Sequence, residues 1–69
     1  MGESWQNRLL EEKTDLANKL RALEAFINGD TFEGMSEAEK SRLRSQRYFM
    51  NGYAETLNQR IEALYQAER

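Results

Sequence analysis

Gln46, Tyr53 and Arg60 recur every seven residues, so on a helix they would fall on one line. An amide, a phenol and a guanidinium are groups that hydrogen-bond, stack and pair with phosphate. With Arg42, Phe49 and Thr56 they form one polar and aromatic stripe. Such a stripe reads in two ways: as long side chains lying over the flank of a helix seam, or as the wall of a polar pocket between subunits. In the second reading Arg60 contacts phosphate and Tyr53 stacks or hydrogen-bonds. Another heptad line, Trp5, Glu12, Lys19 and Phe26, runs through the first third of the chain. Trp5 either covers a core or an oligomer contact, or offers a flat platform to a nucleobase, with Lys19 or Arg8 supplying positive charge.

Catalysis has little to work with. The chain has no Cys and no His, so a nucleophile–base pair would rest on Ser, Thr or Lys, and no glycine-rich strand–loop–helix motif is present. The carboxylates show no spacing that separates metal binding or acid catalysis from ordinary helix solubility, and the usual zinc ligand sets are excluded. Neither a cofactor nor a metal is expected. The reading is a binding protein, not an enzyme.

The elements that would position these stripes are helices. Proline is absent and glycine is limited to four positions, while Ala, Glu, Leu, Arg and Gln dominate. Leu9, Leu16 and Leu23, interleaved with Leu20 and Ile27, give the first helix a buried face interrupted by Lys13. A single polar residue there often fixes register or oligomeric state. Ser4 is placed to cap this helix with Glu3 beside its N-terminus, and Asn28-Gly29 to end it, glycine supplying a left-handed turn. Residues 29–35 suit a connection, with Phe32 and Met35 folding back. Ser36 and Glu39 match a capping box. A second apolar line, Leu43, Met50, Leu57 and Leu64, follows. Gly52 is the weak point of that helix, costing roughly 1 kcal/mol against Ala. It is either tolerated or marks close approach by a neighbouring helix or a ligand.

The expected fold is therefore all-α: a single domain over residues 1–69, with helices over about 4–28 and 36–66 forming an antiparallel two-helix hairpin. A chain of 69 residues without disulfide or zinc is marginal alone, which leaves oligomerisation as the route to stability. Phe26, Tyr48, Phe49, Met50, Tyr53 and Tyr65 cannot all face one partner helix, so several should pack between chains. Twelve acids against ten bases give a net charge of −2, which argues against duplex DNA as a partner. The basic run Lys40, Arg42, Arg44 and Arg47 is interleaved with Glu37 and Glu39 and reads as a solvated helix start. No apolar run approaches the ~18 residues of a membrane span, and the N-terminus lacks a signal pattern. A soluble, intracellular protein is expected; the lack of Cys is compatible with a reducing cytoplasm.

Three segments, Trp5-Gln-Asn-Arg-Leu9, Leu16-Ala-Asn-Lys-Leu20 and Leu23-Glu-Ala-Phe-Ile27, resemble the first half of small bacteriophage helical-hairpin proteins. Leu43-Arg-Ser-Gln46, Met50, Tyr53, Leu57 and Arg60-Ile61 resemble their second half. These are the anti-CBASS type 2 proteins, sponges for the cyclic oligonucleotide messengers of bacterial antiphage defence, and the likeness spans roughly residues 5–61. The resemblance implies a homohexamer of hairpins in the cytoplasm of the infected host. It further implies cyclic dinucleotides bound between protomers without cleavage, and in some members cyclic trinucleotides at separate sites. The family's N-terminal aromatic and the Lys about four turns later fall on Trp5 and Lys19. A Tyr often stands where this chain has Trp5, a change that keeps stacking and removes a hydroxyl. Arg8, Lys19, Gln46, Tyr53 and Arg60 join Trp5 as the candidate ligand-binding set. Arg60 enters on its chemistry. The competing reading is a structural coiled-coil or adaptor protein with no small ligand.

Overall fold

A computed structural model describes residues 4–67, all in helices or their connections: α1 (Trp5–Ile27), α2 (Asp30–Glu33) and α3 (Glu37–Ala67). Glu3 lies outside the described residues. Ser4 is in extended backbone and its Oγ accepts a hydrogen bond from the Asn7 N–H at 3.2 Å, satisfying one of the donors left open at the start of α1. At the other end the Asn28 N–H donates to the Glu24 carbonyl at 3.1 Å.

The expected left-handed glycine is not what ends α1. No described residue has a positive φ; Gly29 sits at φ −99°, ψ 174°, an extended conformation open to any residue. Gly29 is instead the N-cap of one further helical turn, α2, placed within the segment 29–35. That turn buries Phe32 (3% exposed) and half-buries Met35. Over the Phe32 ring lie the Lys40 ammonium, 5.7 Å from the centroid, and the Arg44 guanidinium, at 5.3 Å. Cation–π attraction thereby ties α2 to the first two turns of α3. Ser36 caps α3 by accepting from the Glu39 N–H at 3.2 Å. The Glu39 carboxylate itself turns to Arg42 at 3.3 Å, while Lys40 pairs with Glu37 at 3.5 Å. The two halves of the anticipated box are therefore not equivalent: the Ser arm is made, and the Glu side chain is engaged one turn further on.

The core lies between α1 and α3. Leu9, Leu16 and Leu57 are buried together, with Met50, Ala54 and Ile61 packed against them. Leu9, Leu16, Met50 and Leu57 belong to the two heptad lines, so the spacing of these apolar residues sets the face each helix buries, with Ala54 and Ile61 beside it. Leu20, Leu23, Leu43 and Leu64 are only half-buried. The aromatics remain outside: Tyr48 and Phe49 are 73% and 70% exposed, and Trp5, Tyr53 and Tyr65 about half exposed. A Cβ added to Gly52 would meet nothing within 4 Å, so no neighbour among the described residues accounts for this glycine. No helix among the described residues is long and apolar enough to cross a membrane.

Candidate ligand cleft between the long helices

Residues 8, 12, 15 and 19 of α1 follow the three- and four-residue steps that keep side chains on one flank of a helix. That flank and Tyr53 of α3 enclose a cleft of about 310 Å³, floored by the buried Leu16. Arg8 and Lys19 contribute positive charge, and Tyr53, 45% exposed, contributes the one aromatic face.

Three of the six candidate residues, Arg8, Lys19 and Tyr53, are thus brought together although 45 positions separate the first from the last. The other three do not line this cleft. Trp5 is 53% exposed at the start of α1. The Gln46 side-chain amide donates to the Met50 sulfur at 3.8 Å, one turn along α3. Arg60 is exposed beyond Tyr53 on the same helix. Glu11, Glu12 and Asp15 also line the cleft and were not among the candidates. The signal that finds them is the same helical step that relates Arg8 to Lys19.

The carboxylates matter to the electrostatics. Two bases face three acids, so the cleft of a single chain carries a slight excess of negative charge. Even so, no group of three or more His, Cys, Asp or Glu among the described residues could hold a metal ion. What the cleft can do is stack a flat ring on Tyr53, place an anionic group at Lys19 and Arg8, and accept hydrogen bonds at its carboxylates. Lys13, by contrast, is half-buried on the opposite side of the α1–α3 seam. It lines a second, wider cleft of about 480 Å³ together with Glu55, Glu62 and Tyr65.

The family model Sequestin matches residues 3–63. The chain belongs to the Sequestin family. The match takes in every candidate residue and fits the resemblance to anti-CBASS cyclic-nucleotide sponges carried by the Trp5–Leu9 and Leu16–Leu20 segments. The name Sequestin points to holding a ligand rather than transforming it. No curated protein matches the chain, and no solved structure does.

Proposed function

We propose that this Sequestin chain is a phage immune-evasion protein that binds and sequesters cyclic dinucleotides, and in addition cyclic trinucleotides, leaving them intact. It would do so in the cytoplasm of the infected bacterium. The observation that carries the reading is the convergence of Arg8, Lys19 and Tyr53 on one cleft. A cyclic dinucleotide presents two flat bases and two phosphates, and its receptor needs ring platforms and a few positive groups. The acid excess of the single cleft means that a dianionic ligand requires further cations. A second copy of the chain would supply them, which favours a site shared between antiparallel helical hairpins in a homo-oligomer, a hexamer in the related sponges. Symmetry-related helices give each group twice, matching the ligand's near-twofold shape. Trp5, Gln46 and Arg60, exposed outside the cleft, would then be available to a ligand held between copies.

Thermal melting with a panel of cyclic di- and trinucleotides tests this. A ligand present at about 100 times its Kd stabilises by about 2.7 kcal/mol, which for a domain of this size raises the melting temperature by roughly 10–20 °C. No rise across the panel would leave the structural coiled-coil reading, which the three carboxylates beside Lys19 favour.

A further inference from the structure

Tyr48 lies nine residues from Leu57, two and a half turns, and so on the opposite side of α3 from the core. Its ring meets that of Phe49 edge-on, with centroids 5.4 Å apart and planes at 77°. This pair is the most exposed aromatic surface of the chain, at 73% and 70%. Gly52 is one turn further along the same outer face. Three and four residues from the two rings, it leaves a notch directly beside them, and nothing among the described residues fills it. A glycine weakens a helix interior, and the core gives no reason for this one. Ring and notch side by side on one helix are self-complementary.

We infer that the outer face of α3 around Tyr48, Phe49 and Gly52 docks against the same face of a second copy, the two α3 helices crossing antiparallel about a twofold axis near residues 50 and 51. In that arrangement Phe49 of each copy fills the Gly52 notch of the other, the reciprocal contact a twofold interface requires. This rests on the homo-oligomer part of the proposed function and names a surface for it, distinct from the Arg8–Lys19–Tyr53 cleft.

Two further observations identify the occupant as a second copy. The first is charge. Ahead of Phe49, α3 carries Lys40, Arg42, Arg44 and Arg47 against Glu37 and Glu39; after Gly52 it carries Glu55 and Glu62 against Arg60. An antiparallel crossing brings the exposed Arg44 of each helix near the exposed Glu55 of the second copy. The second is area. The chain exposes 5414 Å², about 900 Å² beyond what folded monomers of 8.1 kDa expose. A standard interface covers about 800 Å² on each partner.

Sedimentation velocity on the full chain and on the variants Gly52→Leu and Phe49→Ala, each checked for helicity by circular dichroism, tests the inference. Because an added Cβ at position 52 meets only open space and leucine favours helix, Gly52→Leu should keep full helicity. Its self-association should nevertheless weaken at least tenfold, with Phe49→Ala, which leaves the notch open, weakening it too. An oligomeric wild type whose variants sediment identically would overturn this interface and leave the oligomer reading standing. A wild type that stays monomeric would overturn both. Cyclic dinucleotide titrated into the same samples reports on the ligand reading separately.

Discussion

Lys19 of α1 and Tyr53 of α3 line the same cleft, over a floor made by the buried Leu16. A cation and a ring from different helices share a site because the leucine seam fixes how the helices pack. Lys19 lies three residues beyond Leu16, and Tyr53 four residues before Leu57, so both flank the seam on the same side.

Lys19→Ala should weaken cyclic dinucleotide binding while leaving helicity and oligomeric size unchanged, since Lys19 is exposed and makes no core contact. Wild-type affinity should fall as salt is added, because a charge-assisted contact to phosphate is screened. Titrations at two ionic strengths check both; salt-independent binding would remove phosphate recognition from the account.

Tyr53→Ala should cost on the order of 1–3 kcal/mol of affinity if the ring stacks on a base. Trp5→Ala should show a loss of the same size only if the site is completed between copies, because Trp5 does not line the cleft of its own chain. Comparing the two variants by fluorescence or calorimetric titration separates a site within one chain from a shared one.

Leu57 is 1% exposed at the centre of the seam. Leu57→Ala should lose about 2–5 kcal/mol, a large part of the stability of so small a domain. Urea denaturation without ligand measures it; a loss under 1 kcal/mol would mean that α1 and α3 do not pack through Leu57.

Phe32 gives a finer test. Phe32→Ala should destabilise by about 3–5 kcal/mol through lost burial. Phe32→Leu keeps apolar volume but removes the ring beneath Lys40 and Arg44. Two cation–π contacts of about 0.5–1 kcal/mol each set its expected loss at about 1–2 kcal/mol. A Phe32→Leu loss near zero beside a full Phe32→Ala loss would show that burial alone holds α2.

The helical nature of the chain was legible because the heptads of Leu9–Leu16 and Leu43–Leu64 contain no proline and carry Ser caps. The seam was legible for the same reason, as was the inward turn of Phe32. The conformation at Gly29 was not. A glycine after a helix permits a left-handed residue without requiring one, and the extra turn of α2 depends on Phe32 finding its place under Lys40 and Arg44. At the site, the heptad lines put Lys19 and Tyr53 on seam flanks, but which flanks meet depends on how α1 lies on α3. That is why Arg8 and Tyr53 share a cleft while Gln46 and Arg60, on the same line as Tyr53, fall outside it. The carboxylates of the cleft were hidden by their ordinariness: Glu11, Glu12 and Asp15 read as solubilising charges until a wall opposite them exists.

The central claim is that the chain holds a cyclic nucleotide without changing it, through Lys19 and its neighbours. Calorimetric titration of a cyclic dinucleotide into the wild-type protein, with the nucleotide recovered by heat denaturation and weighed by mass spectrometry, tests it most directly. The account predicts saturable binding, full recovery of the intact cycle and markedly weaker binding by Lys19→Ala. Absence of binding at any ratio, or recovery of linear products, would contradict it.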